Sequence, residues 1–279
     1  MVATPIGNLR DISLRALDIL NSADVVVAED TRVCSKLLAQ LGIKARVIAS
    51  HEHNERQSAA GIVKLLAAGN SVALTTDAGT PAISDPGSEA VASAREQGFA
   101  VVPVPGASAL TAALSVSGRR LSRVLFCGFL PAKSGERRKS IEGLGTVAAT
   151  LVFYEAPHRI IQTVDDLAEI LGGDGHIVLC RELTKLYEEV HACTLGEARA
   201  WLESNPERIR GEFVLVVDRA QPLENKEDIE SERVLGLLLT ELPLKKAVAL
   251  TVEITGGRRN ALYRRALQLA REQGRETGE

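Results

Sequence analysis

Short runs of β-branched residues alternate with stretches of helical apolar spacing through the first 220 residues of the chain. The runs predict strands over residues 25–28, 46–49, 72–75, 100–104, 124–127, 150–154, 176–180 and 213–218. Apolar spacing of three and four residues predicts helices between them, over residues 13–20, 31–40, 54–68, 88–97, 108–116, 158–171 and 195–203. Such alternation is typical of an α/β architecture with largely parallel strand pairing.

Two breaks in this pattern predict how the chain is divided. The segment FCGFLPAKSGERRK interrupts the alternation with Gly128, Pro131 and Gly135, and it separates an N-terminal lobe, residues 1–118, from a C-terminal lobe, residues 119–220. Residues 221–232 are polar and acidic without apolar periodicity, which predicts a linker.

The remaining residues, 233–279, predict a small all-α module. Helical spacing covers residues 232–240, 244–255 and 260–273, and Gly256 and Gly257 suit a tight turn between the last two helices. The arrangement resembles a helix-turn-helix. Three-helix modules serve in nucleic-acid binding and also in dimerisation or docking, and the pattern favours neither use.

Composition excludes several classes of protein. Hydrophobic residues make up 45% of the chain, but no apolar run approaches the roughly 18–20 residues that span a bilayer. The start of the sequence has no readable signal peptide. The cysteines, Cys34, Cys127, Cys180 and Cys193, show no CxxC spacing, so we expect free thiols, no metal site and a cytoplasmic location.

Basic residues are concentrated in two stretches although the net charge is −3. Residues 119–139 carry seven basic residues against one acid, and residues 245–275 carry eight against two. Each stretch alone is as consistent with a solvated helix face as with a binding surface. Together they favour a partner with phosphates, either RNA or DNA.

Three glycine- and proline-containing loops follow predicted strands, over residues 3–8, 77–87 and 103–110. In α/β sheets the loops at the carboxyl ends of strands line the ligand crevice. The GxGxxG, GxxxxGK[ST], GxSxG and HExxH signatures are absent, which argues against a dinucleotide, a Walker-type phosphate site or triad hydrolysis. The loops therefore predict a crevice for a polar organic ligand.

An ordered series of short motifs makes the prediction more specific. The motifs are VATPIGNL, AEDTR, SHEHNE, DAGTPAISDPG, PVPGASAL, FCGFLP, FYEAPHRI, CRELTK and RGEFVLVV. In these motifs and their order the chain closely resembles the tetrapyrrole-methylase-like methyltransferases, and within them the branch that methylates the 2′-hydroxyl of a cytidine in small-subunit (16S) ribosomal RNA. The resemblance runs from Val2 to about Asp218 and resumes over residues 242–267, which are similar to that branch's C-terminal helical module.

The resemblance implies a two-lobed α/β fold with S-adenosylmethionine bound between the lobes, and a homodimer. The helix beginning at Ser108 is suited to hold the methionine carboxylate at its N-terminus. The positions that match the family's cofactor site are Pro5, Ala78, Gly79, Thr80, Ile83, Ser108, Ala109, Tyr154, Glu155, Leu183, Gly211 and Glu212.

Ionisable residues in these motifs are the candidate catalysts. We expect Asp77 or Glu155 to accept the proton of the 2′-hydroxyl, and Arg181 or Arg32 to steer the adjacent phosphate. Bracing of their own loop by Asp77 and Asp85 through Asx-type hydrogen bonds is an equally acceptable interpretation. The candidate RNA contacts are Arg137, Arg138, Lys139, Arg258, Arg259, Arg264 and Arg265.

Two other functions compete with methylation of ribosomal RNA. One is methylation of a tetrapyrrole or a protein side chain, and the other is a cofactor-binding RNA-binding or ribosome-assembly factor without turnover. The basic stretches favour an RNA partner, either the small-subunit rRNA or the assembled 30S subunit, because a small macrocycle needs neither stretch.

Overall fold

The computed structural model describes residues 1–50, 55–145, 147–218, 226–257 and 259–272. The chain divides into two compact units. The larger unit comprises Met1–Gly145 and Ala149–Ala220, and the smaller one comprises Thr146–Ala148 and Gln221–Glu279.

The first half of the larger unit contains a parallel three-stranded sheet of order β2-β1-β3. The central strand, Val25–Ala28, is buried along its whole length, as expected for a parallel strand covered on both faces. The elements are α1 (Leu14–Ser22), β1 (Val25–Ala28), α2 (Thr31–Gln40), β2 (Val47–Ala49), α3 (Glu55–Ala67), β3 (Val72–Leu74), α4 (Ser88–Glu96) and α5 (Ala109–Val116).

The strand predicted over residues 100–104 is reduced to a single parallel bridge between Val104 and Val2. Pro103 lies within it and has no N–H to donate to a ladder. Each of the other strands predicted in this half overlaps an observed one.

The second half contains a mixed five-stranded sheet of order β4-β5-β8-β6-β7. β4 and β5 are parallel, whereas β8 is antiparallel to β5 and β6, and β7 is antiparallel to β6. The elements are β4 (Val124–Phe129), α6 (Ser134–Leu144), β5 (Thr150–Glu155), α7 (Ile160–Leu171), β6 (His176–Arg181), β7 (Glu189–Thr194), α8 (Leu195–Glu203) and β8 (Phe213–Asp218).

The prediction of largely parallel pairing is therefore wrong for this sheet. A parallel connection needs a crossover of a dozen or more residues, and only residues 182–188 separate β6 from β7. The sequence pattern also missed β7, whose segment EVHACT mixes polar and apolar residues, and α6. That helix buries only Arg137 and Ile141, which leaves too few apolar positions for a periodic signal.

The smaller unit is built from α9 (Lys226–Glu241), α10 (Leu244–Thr255) and α11 (Arg259–Glu272). Their shared core includes Leu235, Val248 and Ala266. α10 ends at Gly256, which adopts a left-handed φ of 72°, as the predicted turn requires.

The linker prediction is wrong from residue 226 onward, because α9 begins there. One of the buried positions of α9 is occupied by Ser231, which is fully buried and donates to Thr255 Oγ1 at 2.6 Å. A buried serine gives no apolar signal in the sequence. Among the helices of the described residues, none is both long and apolar enough to cross a membrane.

Candidate functional site

A cavity of about 490 Å³ lies in the larger unit, where the loops after β1, β3, β5 and β6 converge. Its floor is buried and largely apolar, and includes Cys180 and Val214. Its mouth is more exposed and includes Ile83 and Phe129, which are 40% and 54% exposed. A volume of this size is typical of a small-molecule site.

The glycine- and proline-containing loops of the first half are joined by hydrogen bonds into one wall. Thr4 and Gly79 exchange both backbone hydrogen bonds, at 2.9 and 3.0 Å. Thr80 Oγ1 donates to Ala107 O at 3.1 Å, which ties the central loop to the third. Gly106 completes the contact, because a Cβ there would lie 2.9 Å from the Ala3 side chain.

The wall holds side chains in a backbone conformation that favours glycine. Ala82 and Ser84 have φ values of 67° and 62° in the central loop. Across the cavity, Glu182 and Thr184 have φ values of 50° and 68°. Such non-glycine residues cost of order 1–3 kcal/mol each and concentrate at functional sites.

The opposite wall follows from the register of the mixed sheet. Phe213, the first residue of β8, pairs with Glu155 at the end of β5 and with Arg181 at the end of β6. Because β8 runs opposite to both neighbours, its start lies at the edge where they end. This antiparallel insertion brings Glu212 and Phe213 into the cavity lining.

Tyr154 connects the two walls. Its Oη accepts a hydrogen bond from the Leu110 amide at 3.2 Å, so one donor at the N-terminus of α5 is already used. The methionine carboxylate predicted at that terminus therefore has one amide fewer available. Burial raises the pKa of Tyr154, and the negative charge of Asp85 raises it further.

Lys185 anchors the loop after β6. Its Nζ donates to Glu182 Oε1 at 2.7 Å and to Glu212 Oε2 at 2.9 Å. Gly7 packs against this loop, since a Cβ there would lie 2.4 Å from Lys185 Cγ. Gly211 packs in the same way against Glu182, since a Cβ there would lie 2.5 Å from Glu182 Cγ. These two glycines allow the loops around the cavity to approach each other closely.

Carboxylates from three positions line the side of the cavity formed by the first half: Glu29, Asp77 and Asp85. The Thr76 hydroxyl donates to Glu29 Oε2 at 3.1 Å. Burial raises the pKa of Asp85; a hydrogen bond from Thr76 lowers it, and the negative charge of Asp77 raises it. The net effect is a carboxylate that binds a proton more readily than usual.

The predicted cofactor residues converge on this cavity with two exceptions. Pro5 and Gly211 are not in the lining, although their neighbours Ile6 and Glu212 are. The predicted residues in the lining are Ala78, Gly79, Thr80, Ile83, Ser108, Ala109, Tyr154, Glu155, Leu183 and Glu212.

Two of the candidate catalysts are buried and make structural hydrogen bonds. Glu155 is 2% exposed, and its oxygens accept hydrogen bonds from Arg159 Nε at 2.8 Å and Thr163 Oγ1 at 2.6 Å. Arg181 is 7% exposed and donates to the carbonyls of Arg210 and Tyr187. The structure therefore disfavours Glu155 as a base and Arg181 as a phosphate contact.

The other two candidates remain accessible. Asp77 is exposed in the cavity, and its Oδ1 accepts the Asp30 amide at 3.1 Å. Arg32 pairs with Asp30 at 2.6 Å while its side chain stays 88% exposed. The hydrogen bond from Arg32 holds the pKa of Asp30 well below its usual range. Arg32 lies outside the cavity lining.

The predicted RNA contacts separate into different environments. Arg137 is 1% exposed, with its Nε on Asp166 Oδ2 at 2.6 Å, so it is a counterion inside the fold and the RNA prediction is wrong for it. Arg138 is paired with both Asp166 and Glu169. A residue already holding two carboxylates is a poor phosphate ligand.

The remaining candidates are compatible with a surface role. Lys139, Arg259 and Arg264 are exposed, and Arg265 is half-buried. Arg258 lies outside the described residues, as do His51 and His53 of the SHEHNE motif.

Sequence reasoning missed Glu29, Phe129 and Lys185 as cavity residues, and it considered Asp85 only as a loop brace. Each lies inside a motif that the resemblance already singled out: AEDTR, FCGFLP, CRELTK and DAGTPAISDPG. The signal was present, but it did not say which side chains face the cavity. Covalent catalysis by Cys180 is disfavoured, because burial raises the pKa of its thiol to about 12.

The chemistry of the lining fits a cationic sulfonium cofactor. Glu29, Asp77 and Asp85 supply negative charge. Lys185, the one cation among the described residues of the lining, is held by Glu182 and Glu212. An excess of one sign of charge in a cleft attracts the opposite sign. Ile83 and Leu183 offer apolar surface for a nucleoside. Gly79 has φ 88° and a Cβ there would lie 3.3 Å from Ile6 Cγ2, so the backbone can approach a ligand closely.

Comparison with known proteins identifies the family. The family described as Tetrapyrrole (Corrin/Porphyrin) Methylases matches residues 1–199, and the RsmI C-terminal HTH domain matches residues 225–270. Fold and site thus define a methyltransferase that uses S-adenosylmethionine. The chain belongs to the ribosomal RNA small subunit methyltransferase I family. It is 48% identical over 270 residues to the Pseudomonas aeruginosa member, covering 96% of each chain, and 44% identical over 278 residues to the Mesorhizobium japonicum member, covering 100% of this chain and 94% of that one.

Solved structures confirm the predicted fold class. The methyltransferase CobJ superposes with a TM-score of 0.59 at 16% identity, over 78% of this chain and 92% of that one. Uroporphyrin-III C-methyltransferase from Thermus thermophilus, complexed with S-adenyl homocysteine, gives a TM-score of 0.56 at 17% identity, over 78% of this chain and 96% of that one. At these identities the likeness concerns the fold alone.

Proposed function

We propose that this enzyme transfers a methyl group from S-adenosylmethionine to the 2′-hydroxyl of a cytidine in small-subunit ribosomal RNA. The observation that carries the proposal is the full-length similarity, at 44–48% identity, to proteins named ribosomal RNA small subunit methyltransferase I. That similarity includes the helical unit, which a tetrapyrrole methylase acting on a small macrocycle does not need.

Different residues of the cavity bind, orient and neutralise the cofactor. When bound, S-adenosylmethionine supplies an electrophilic methyl group on a sulfonium. Ala78, Ile83 and Leu183 hold and orient its nucleoside, and the carboxylates of the first half offset its positive charge. Orientation of this kind is worth roughly 10⁵–10⁸ M in effective molarity, so alignment is the main contribution of the fold.

Proton acceptance falls to Asp85. With S-adenosylmethionine and RNA bound, the Asp85 carboxylate would accept the proton that the 2′-hydroxyl loses on methylation. Its raised pKa suits this role, because a general base works best when its pKa is near the operating pH. Asp77, one of the two bases that the sequence suggested, acts on Asp85 by raising that pKa.

RNA binding is assigned to basic residues that are not part of the cavity lining. The acidic lining repels phosphates, so affinity for the RNA backbone has to come from other surfaces. Arg32 near the cavity and Arg259, Arg264 and Arg265 of the helical unit are the proposed contacts. The lobes over residues 1–118 and 119–220 would then carry the cofactor, and the helical unit would carry the RNA.

Partner and location follow from the substrate. We place the enzyme in the cytoplasm, on the 30S subunit or its rRNA, as a homodimer. The four free cysteines are compatible with a reducing compartment.

The decisive experiment supplies 30S subunits and free small-subunit rRNA from a strain lacking the enzyme, together with methyl-labelled cofactor. Label in rRNA, followed by a 2′-O-methyl stop in primer extension, supports the proposal. Asp85→Asn should abolish the label, and Asp18→Asn, an exposed aspartate on α1, should not. Binding of subunits without label in any RNA would instead indicate an assembly factor without turnover.

A further inference from the structure

A bulge in the edge strand β4 turns one aromatic side chain into the cavity. The pairing of β4 with β5 runs regularly to Phe126 opposite Val152, then shifts so that Gly128 faces Phe153 and Phe129 faces Tyr154. Cys127 is the extra residue, and Gly128 takes the left-handed φ of 62° that such a bulge needs.

The bulge changes which face Phe129 occupies. Residues three apart on a regular strand point to opposite faces. Here both Phe126 and Phe129 contact Tyr154 edge-on, with ring centroids 4.9 and 5.7 Å away. Bulges next to active sites commonly re-aim a side chain in this way. Ser84 of the central loop lies against the bulge, 3.0 Å from a Cβ built on Gly128.

The re-aimed ring is left uncovered. Phe129 is 54% exposed, whereas Phe126 and Tyr154 on either side are half-buried. Ile83, 40% exposed, lies in the same cavity mouth. An aromatic ring held rigidly at the mouth of a cavity, with its surface open to solvent, is suited to stack on a planar ligand that enters from outside.

We propose that Phe129 is the platform on which the base of the acceptor nucleotide stacks. This inference rests on the proposed function and adds the way in which the target nucleotide is held. Proteins that recognise single-stranded RNA stack splayed-out bases on aromatic side chains. Stacking on Phe129 would fix the nucleotide at the mouth, with its ribose near the carboxylates of the opposite wall.

The test uses Phe129→Ala and Phe129→Leu in the full-length enzyme, with Val124→Ala as the control. Leucine retains apolar contact with Tyr154 but has no ring, and Val124 is an exposed apolar residue, 40% exposed, on the same strand outside the cavity. Loss of stacking should raise KM for RNA by about 5- to 150-fold in both Phe129 variants. KM for RNA should rise by a larger factor than the cofactor Kd measured by titration calorimetry, and Val124→Ala should change neither by more than about twofold.

A synthetic acceptor RNA with an abasic ribose at the mapped methylation site makes the test specific. With the wild-type enzyme, base removal should raise KM about as much as Phe129→Ala does. With Phe129→Ala the abasic change should add little, because the two losses remove the same contact.

Unchanged KM in both Phe129 variants, additive losses with the abasic RNA, or a cofactor Kd weakened by as much as the KM for RNA would each overturn the inference while leaving the proposed function intact. A wild-type enzyme that methylates no RNA would instead overturn the proposed function.

Discussion

Arg137 of α6 donates from Nε to Oδ2 of Asp166 on α7 at 2.6 Å, and its side chain is 2% exposed. Arg137 Nη1 also donates to the Ala132 carbonyl at 3.2 Å. The guanidinium therefore donates hydrogen bonds to two acceptors inside the fold, the Asp166 carboxylate and the Ala132 carbonyl. Arg137 belongs to the basic stretch over residues 119–139, but it does not form part of a basic surface. Its side chain connects α6 to α7 inside the fold.

Replacing Arg137 with Gln should lower the free energy of unfolding by about 1–3 kcal/mol, because it removes the buried partner of Asp166 and leaves that carboxylate paired only with the more exposed Arg138. Urea denaturation measures this change. Lys139→Gln on the same helix is the control and should stay within about 0.5 kcal/mol of the wild type. An unchanged midpoint for Arg137→Gln, together with weaker RNA binding, would return Arg137 to the RNA surface.

Glu155→Gln should act on stability and not on proton transfer. The substitution leaves Arg159, whose side chain is 14% exposed, without the carboxylate that it contacts at 2.6 Å. We expect a lower midpoint temperature of thermal unfolding. At temperatures where the variant is still folded, the acid limb of its single-turnover pH profile should lie at the same pH as in the wild type. A normal midpoint combined with a rate lost at every pH would identify Glu155 as the base after all.

Asp77→Asn should move the acid limb of the single-turnover pH profile to lower pH. The rate rises as Asp85 loses its proton, so the limb follows the pKa of Asp85. Removal of the Asp77 charge takes away one cause that raises this pKa, and the deprotonated form then persists at lower pH. The measurement is the methyl-transfer rate from pH 5 to 9 with saturating RNA and cofactor.

Asp85→Asn should slow the same rate by about 10²–10⁴-fold and abolish the acid limb. Asp18→Asn is the matched control, because Asp18 is exposed on α1 and outside the cavity. A limb that stays in place in Asp77→Asn but disappears in Asp85→Asn would show that the two carboxylates do not interact.

Gly7→Ala should weaken cofactor binding by about tenfold. The added Cβ would lie 2.8 Å from Thr184 Oγ1 and 3.3 Å from the Leu183 carbonyl, so the loops around the cavity have to separate, and such overpacking costs about 1–3 kcal/mol. Gly61→Ala is the control: it lies in α3 with nothing within 4 Å of a built Cβ, and should raise stability slightly. Calorimetric titration with the cofactor compares the two, and equal Kd values would contradict the packing argument.

Neutralising Arg264 and Arg265 together should weaken RNA binding and flatten its salt dependence. Each lost phosphate contact reduces the slope of log K against log salt by roughly 0.7–0.9. Cofactor Kd should not change. Lys64→Gln on α3 is the control, since it removes an exposed positive charge from the larger unit. A weakened cofactor Kd in the double variant would contradict the assignment of RNA binding to the helical unit.

Local pattern predicted most elements because their signals are local. α2 and α8 have the predicted bounds, since their buried positions recur with helical spacing. β8 pairs with β5 and β6, which are distant from it in sequence, and local periodicity carries no information about which strands pair. The same holds for α6, where the buried position belongs to Arg137 and the stabilising partner lies on another helix.

The site was predicted at the level of loops and not of side-chain direction. Motif order singled out Ala78, Gly79, Thr80, Ile83 and Leu183, and all five lie in the cavity lining. It could not distinguish Glu155, whose oxygens accept hydrogen bonds from Arg159 and Thr163, from Asp85, which is half-buried in the cavity lining. These two partners follow Glu155 by four and eight residues, and only the folded structure shows that they reach its carboxylate.

The left-handed residues Ala82 and Ser84 have a consequence for protein engineering. Glycine at either position would relieve the backbone and is an obvious choice for anyone seeking a more heat-resistant enzyme. It would also let the loop over residues 77–87 sample many more conformations in the enzyme without cofactor. The conformational entropy that is now lost on folding would then be lost each time the cofactor binds, which weakens binding. A thermostabilised variant should therefore keep both side chains and be improved elsewhere.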